Sequence, residues 1–408
     1  MTALRAVPIR KIIRAIADAA ERWSDADFPP RVRVTERIAE RTGYSIPVVE
    51  YALDRIFFSI AQRELEATIA GELGSIQALD GFVARSERPE AWAMPAGNAC
   101  IISSRTTIGV AIVPAVFALC AKCDVLVKDR EDTLVQGFFH TLAEEQELFA
   151  EAARAGVWSS GSHDAPDLAR FDVVAAFGAD ATLAAIRANL SPGARFIGYG
   201  GRSSAGYVTR ESLVSERAAT DVARGAARDI VLYETEGCLS LHTLFVERGG
   251  AISVAQFGSL LASAIEEANV EFPIARRAAS DAAAIAQHRN LAAFRAAAGQ
   301  GSVYAGEAAE YAVIVEHPPA EPPQFLPRTI GIVSVQNPQD ALAYLREHRL
   351  PLEGFALSCG RTDAVRAAID AGAVRLTRFG ELQHPPLGSD HGGRPRIAEF
   401  IRWINKEL

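Results

Sequence analysis

The sequence predicts an α/β protein made of two parallel-sheet lobes behind a helical amino-terminal segment. Three observations carry this. The pattern is helical up to about residue 90, a strand–helix–strand–helix–strand alternation runs from Asp124 to Tyr199, and a second alternating set follows from Thr243 to Ala371. The chain has 408 residues, 49% of them apolar, which is enough for more than one core. With 42 Lys and Arg against 50 Asp and Glu the formal charge is −8, so there is no basic field to gather a polyanion, and nucleic acid is excluded as an expected partner. Five cysteines, an odd number in a long chain, argue against a disulfide framework and for a reducing compartment.

In the first segment Ile9, Ile12, Ile13, Ile16, Ala17 and Ala20 fall at helical spacing among charged residues, with no unbroken apolar stretch of the kind a secretory signal needs. The helical pattern continues through IPVVEYALDRIFFSI and ends at ELGSIQALDGF, punctuated by Gly71, Gly74 and Gly81. The run from Ile108 to Cys120 is too short to span a bilayer and is broken by Pro114, so it reads as a buried helix in a cytoplasmic protein without a membrane span.

The first alternating set consists of strands Asp124 to Lys128, Asp172 to Phe177 and Ala194 to Tyr199, with helices after Thr133 and from Asp180. The second has strands Thr243 to Val246, Tyr311 to Glu316, Ile330 to Val335 and Gly354 to Leu357, and helices Ser253 to Asn269, Pro338 to His348 and Thr362 to Ala371. The small-residue stretch from Gly200 to Gly206 reads as a hinge or a close backbone approach, and the proline-rich run 317–323 as an extended loop. The expected divisions are a helical segment over 1–90, a dinucleotide-binding lobe over 91–205, a lobe carrying a nucleophile over 206–385 and a tail over 386–408.

Cys238 stands in Glu236-Gly237-Cys238-Leu239-Ser240, where the chain changes direction before a strand. A thiol there can face a substrate and receive backbone N–H groups that lower its pKa; the competing reading is a buried apolar cysteine. Cys120 and Cys123 form a CxxC with no second pair, so core packing explains them better than zinc or redox chemistry, and no metal site is expected. Cys100 and Cys359 read as packed cysteines. No GxGxxG, P-loop or GxSxG occurs. His242, four residues after Cys238, invites a Cys–His pair, but four residues of strand separate the two by roughly 13 Å.

Several segments in order resemble the aldehyde dehydrogenase superfamily, and within it the acyl-CoA reductase family, the fatty acid reductases of bacterial bioluminescence. They are ELGSIQALDGF, the Gly97-Asn98 turn, VLVKDRED, AAFGADATLAAI, FIGYGGRSSAG, EGCLS and the tail beginning GELQHPPLG. The resemblance implies an aldehyde dehydrogenase-like fold with its site between the lobes, Cys238 as nucleophile and Asn98 as a side-chain donor to the oxyanion hole beside the nucleophile's own N–H. It implies that Lys128 contacts the adenosine ribose or its 2′-phosphate, with Arg130 and Glu131 close by, that Gly178 and Asp180 form the turn where the pyrophosphate meets a helix, and that Gly200 and Gly201 lie under the nicotinamide. A Lys128–Arg130 cation pair suits NADPH, the cofactor of the resembling family, whereas Glu131 suits the ribose hydroxyls of NADH. For Asn98, Arg130, Asp180 and the glycine pair the residues alone leave plainer readings open: a turn, a solvated loop, an N-cap and a hinge.

Two departures matter. The glutamate that activates water in hydrolytic relatives would fall at Gly198, and the glutamate that grips the nicotinamide ribose would fall near Pro323-Gln324-Phe325-Leu326-Pro327, where only Glu321 is nearby. The expected function is therefore NADPH-dependent reduction of an acyl thioester, on CoA or a protein, to the aldehyde through an S-acyl cysteine. An acyl-protein synthetase partner and a homo-oligomer are implied. Two alternatives stand beside it: a CoA-acylating dehydrogenase working oxidatively with the same residues, and a non-reducing acyl-transfer subunit.

Overall fold

The computed structural model describes residues 3–85, 88–104, 107–130, 132–159, 162, 165–307, 310–316 and 324–408. Glu131, Glu321 and the proline-rich run 317–323 lie outside them. The chain divides into two compact units, one of residues 1–41, 49–200 and 386–408, the other of residues 42–48 and 201–385. Residues 3–41 and 49–85 of the helical segment and the tail 386–408 fall in the first unit.

The first unit begins with α1 (Ile9–Ser24), α2 (Pro29–Thr42), α3 (Ile46–Ser59) and α4 (Gln62–Leu73). Along α1 the residues Ile9, Ile12, Ile13, Ile16, Ala20 and Trp23 are buried, the stripe that their spacing predicts. Trp23 packs on Phe57 and Phe138 with ring centroids 5.2 and 6.4 Å away and donates its indole N–H to Thr141 Oγ1 at 2.9 Å. Helix α4 ends at Gly74, whose φ of 81° is the left-handed stop that glycine supplies.

Next come β1 (Val83–Arg85), β2 (Arg88–Pro95), β3 (Asn98–Ile102), α5 (Ile112–Cys120), β4 (Asp124–Lys128), α6 (Leu134–Glu145), α7 (Phe149–Ala152), β5 (Ala153–Gly156), β6 (Val173–Phe177), α8 (Asp180–Ala188) and β7 (Arg195–Tyr199). The strands β5-β4-β3-β6-β7 form a parallel sheet in that order. The chain reverses its direction of winding at β3, with β4 on one side and β6 on the other, so the crevice past the carboxyl ends of β3 and β6 is the switch point where such sheets bind ligands. All of α5 except Val113 is buried, as its apolar run predicts. The final strand β15 (Ile401–Lys406) pairs antiparallel with β2, giving a second sheet in the order β1-β2-β15.

The second unit holds β8 (Ser203–Val208), α9 (Glu216–Val231), β9 (Leu241–Glu247), α10 (Val254–Glu271), α11 (Ala279–Ala297), β10 (Gly301–Ala305), β11 (Ala312–Glu316), β12 (Thr329–Val335), α12 (Pro338–Glu347), β13 (Leu352–Leu357), α13 (Thr362–Asp370) and β14 (Arg375–Thr377). Its sheet runs β10-β11-β12-β9-β8-β13-β14, parallel except for the edge strand β10. Of the stretch 200–206, expected as a hinge or a close backbone approach, residues 203–206 belong to β8, a central strand with all six residues buried, and the change of unit falls between Gly200 and Gly201. A side chain on Gly206 would strike the Phe379 ring, which is why so small a residue belongs there. The helices start where their caps predict: Ser215 accepts from Ala218 N, Ser253 and Gln256 form a capping box, and Asn337 precedes Pro338. Among the described residues no helix is long and apolar enough to cross a membrane.

Candidate functional site

At the carboxyl edge of the five-stranded sheet, Lys128 ends β4 in register with Ile102 and Gly156. Its ammonium lies 5.9 Å from the centroid of the Trp158 ring. On the same edge the β6–α8 turn carries Gly178 and Asp180, and α8 opens at Ala179 with no side-chain cap. Its first turn thus presents helix N–H groups, the arrangement that receives a phosphate. A Cβ on Gly200 would collide with the Asp180 carboxylate, so Gly200 allows that turn to close on the end of β7. Gly201 opens the second unit, and a Cβ there would meet nothing within 4 Å.

Two further expected residues are placed in the same unit. Asn98 begins β3 at the amino edge of the sheet, in register with Asp124, whereas Lys128 and Gly178 lie at the opposite edge. Its backbone explains the Gly-Asn pair: the Asn98 N–H donates to Asp172 Oδ2 at 2.8 Å, its carbonyl accepts from Asp172 N at 2.9 Å, and Gly97 at φ 139° leaves room for that carboxylate. Arg130 is not a cation held out for a phosphate. It pairs with the buried Asp132 at 2.8 Å and donates to the Thr107 carbonyl at 3.0 Å, with a side chain only 10% exposed. The neighbouring Asp129 is buried, which pushes its carboxyl up to about 6 although it accepts from Gln136 N and Arg130 N.

The tail contributes a group to the same edge. His391, in a turn where Gly392 and Gly393 have φ of 59° and 72°, stacks on Tyr199 at 4.3 Å, and Tyr199 stacks on Phe177 at 4.6 Å. A cavity of about 820 Å³ lined by Arg10, Arg63, Glu66 and Gly74 among others shares no residue with this edge or with the thiol described next.

In the second unit, Cys238 occupies a turn closed by Ser240 N donating to the Gly237 carbonyl at 2.9 Å, at the amino end of β9. It is half-buried, unlike Cys100, Cys120 and Cys123, which are sealed in the first unit's core. The Cys123 thiol there donates to the Phe400 carbonyl, and burial pushes it up to about 12. Among the described residues no cluster of His, Cys, Asp and Glu could hold a metal. The Cys238 thiol is held up to about 11 by burial first and then by the Glu353 carboxylate. The N–H groups of Cys238 and Leu239, directed at the sulfur, and the Arg202 guanidinium pull the other way.

The turn is reached through three consecutive left-handed residues, Tyr233, Glu234 and Thr235, with φ of 58°, 51° and 62°. None is glycine, and each costs about 1–3 kcal/mol, so the surroundings must impose the conformation. Arg328, fully buried, holds Glu234 through Nε at 2.8 Å, and Arg277 holds its other oxygen at 3.0 Å. The Thr235 hydroxyl donates to Ile230 O and accepts from Arg328 N, both at 3.0 Å. Tyr44 reaches the same loop, donating to Glu236 Oε2 at 3.1 Å.

His242 closes the turn from below. Its Nδ1 accepts from Ser204 N at 3.3 Å while Nε2 faces the Thr235 carbonyl at 2.9 Å, which makes Nε2 the protonated nitrogen. Burial drives its pKa down to about 4. Both nitrogens are committed and the ring is neutral, so it braces the loop and takes no proton from the thiol. The Ser204 hydroxyl donates to the Cys238 carbonyl at 2.8 Å, and Gln383 donates to Ser240 Oγ at 2.8 Å. Tyr44, Arg328 and Glu353 lie in no quoted motif and far in sequence from Cys238, which kept them from view.

The family model described as acyl-CoA reductase (LuxC) matches residues 4–403. No curated protein matches the chain. Among solved structures, it is similar to an NAD-dependent benzaldehyde dehydrogenase from Corynebacterium glutamicum, at 14% identity and TM-score 0.70, over 100% of this chain and 87% of that one. A 1-pyrroline-5-carboxylate dehydrogenase from Thermus with bound NAD aligns at 15% identity and TM-score 0.60, over 97% and 81%. An indole-3-acetaldehyde dehydrogenase in complex with NAD+ aligns at 13% and 0.67, over 98% and 84%. At these identities the likeness shows the fold, which is that of the aldehyde dehydrogenases.

Proposed function

The chain belongs to the acyl-CoA reductase (LuxC) family, and on that premise we propose that it reduces an acyl thioester to the aldehyde through an S-acyl intermediate on Cys238, with NADPH as reductant. The observation that carries the reading is the half-buried thiol on a turn held in a strained backbone, with the N–H groups of Cys238 and Leu239 directed at the sulfur. Cys238 Sγ adds to the thioester carbonyl, and those two N–H groups stabilise the oxyanion in place of Asn98. Collapse expels the thiol of CoA and leaves the acyl group on sulfur.

Bound NADPH supplies the hydride that reduces the S-acyl carbonyl. The residues that would hold it are Lys128 beside the adenosine end, and Gly178, Asp180 and the first turn of α8 at the pyrophosphate. That uncapped helix start at the switch-point edge suits the group. The second tetrahedral oxyanion uses the same two N–H groups, and its collapse returns the Cys238 sulfur and frees the aldehyde.

Reduction is favoured over hydrolysis because position 198 has no carboxylate to activate water, and it has no room for one. A Cβ on Gly198 would stand 2.9 Å from the Phe196 ring and 3.5 Å from Leu183. The test is product analysis with acyl-CoA and NADPH. The proposal expects one aldehyde per NADPH oxidised and loss of the reaction in Cys238→Ala. Carboxylate as the product, or turnover surviving in Cys238→Ala, would refute it.

A further inference from the structure

Both neighbours of β8 bulge at one level. On β9, Ser204 opposes Leu241 while Ala205 opposes Thr243, so His242 is the extra residue. On β13, Ser203 opposes Leu352 and Ala205 opposes Phe355, so Glu353 and Gly354 together face Ser204. Bulges redirect side chains and gather beside active sites. Here the Ser204 hydroxyl joins the second bulge to the nucleophile's turn, accepting from Gly354 N at 3.0 Å and donating to the Cys238 carbonyl.

We propose that Glu353, presented by this bulge, is the proton acceptor for the Cys238 thiol and carries that proton to the departing thiolate of CoA. The proposal rests on Cys238 being the nucleophile. Glu353 is 4% exposed, and the Arg202 guanidinium faces it at 3.6 Å while donating to the Leu352 carbonyl at 3.1 Å. Among the charged and titratable groups facing it are Arg202 ahead of β8, Arg375 on β14 and the Cys238 thiol ahead of β9.

A base is needed. A thiol held near 11 is ionised to only about one part in 10⁴ at pH 7. His242 is neutral and committed on both nitrogens, and position 198 has no carboxylate. Glu236 is close in sequence, but its carboxylate accepts from the Tyr44 hydroxyl.

The protons balance as follows. The Cys238 S–H bond breaks as its sulfur bonds to the acyl carbon, and the proton passes to the Glu353 carboxylate. The C–S bond to CoA then breaks, and its thiolate takes the proton from Glu353. After hydride transfer, collapse of the tetrahedral adduct expels the Cys238 sulfur, which is reprotonated from solvent through Glu353, giving one proton consumed per aldehyde.

The experiment compares Glu353→Gln, Glu353→Asp and Glu236→Gln with wild type by rapid-quench measurement of S-acylation and by iodoacetamide alkylation of Cys238 across pH. Glu353→Gln should slow acylation by about 10²-fold. It should also speed alkylation at pH 8, because a negative charge beside the thiol is gone. Glu353→Asp should recover part of the acylation rate. Unchanged acylation, acylation and alkylation falling together, or the loss appearing in Glu236→Gln instead would overturn the role of Glu353. Absence of any acyl group on Cys238 in wild type would instead sink the nucleophile itself.

Discussion

The first unit gathers its expected ligand residues at the carboxyl edge of its sheet, whereas the second presents its thiol at the amino edge of its own. Lys128, Gly178, Asp180 and Gly200 all keep ordinary negative-φ backbone, and they stand where any doubly wound sheet leaves a crevice. The Cys238 turn follows three left-handed residues held by a buried ion pair whose members lie 94 positions apart. A binding edge comes with the topology and needs few dedicated contacts. A nucleophile's turn has to be forced, and most of the residues around it do the forcing rather than the chemistry.

If that contrast holds, the largest effect belongs to the brace. Arg328→Met leaves Glu234 with Arg277 alone and removes the guanidinium's bond to Asn269 Oδ1. Breaking a buried pair of this kind costs about 3–5 kcal/mol, read as a lower denaturation midpoint together with slower alkylation of Cys238. Unchanged stability and alkylation would mean that the turn holds itself.

Second comes the pH dependence of His242. Its folded pKa of about 4 lies below the ordinary 6.5, so the unfolded chain binds the proton first. The contribution is intact above pH 6.5 and declines as pH falls towards 4, by about 3 kcal/mol at most. Urea melts of wild type and His242→Gln from pH 7 to 4 should show that slope in wild type only.

A smaller effect is expected at the binding edge. Lys128→Ala should weaken NADPH about tenfold in a fluorescence titration, about 1.4 kcal/mol. Arg130→Ala should lower the melting temperature and leave the NADPH Kd nearly unchanged, since its guanidinium serves Asp132 and Thr107. The reverse outcome for the two variants would restore Arg130 as a phosphate ligand. The smallest effect is at Asn98→Ala, with kcat expected within about twofold of wild type. An oxyanion donor would cost about 10²–10³-fold, so a loss of that size would reinstate Asn98.

How much of this is legible in the sequence follows from where each signal lies. Strand β4 is readable residue by residue, because DVLVK is a short β-branched run following an apolar helix. The caps of α10 and α12 are readable too, since Ser253 and Asn337 act on N–H groups two or three residues away. Strand β8 reads as a hinge because its serines and glycine look like loop residues, and only the Phe379 ring against Gly206 explains them. Helix α11 has just two buried residues, Ile285 and Ala292, and so lacks an apolar stripe to read. In the site, Cys238 is visible through its Gly-Cys turn. The Gly97-Asn98 pair serves a turn and a strand start equally well, and Asp172 decides between them from 74 residues away. Glu353 and Arg328 have meaning only through register and long-range pairing, which no local pattern encodes.

The most direct test of the central claim is intact-mass measurement after acyl-CoA is added without NADPH. Wild type should gain the mass of one acyl group, lose it when NADPH follows, and show no gain in Cys238→Ala. An acyl adduct that persists in Cys238→Ala, or none in a wild-type protein that still forms aldehyde, would contradict the account.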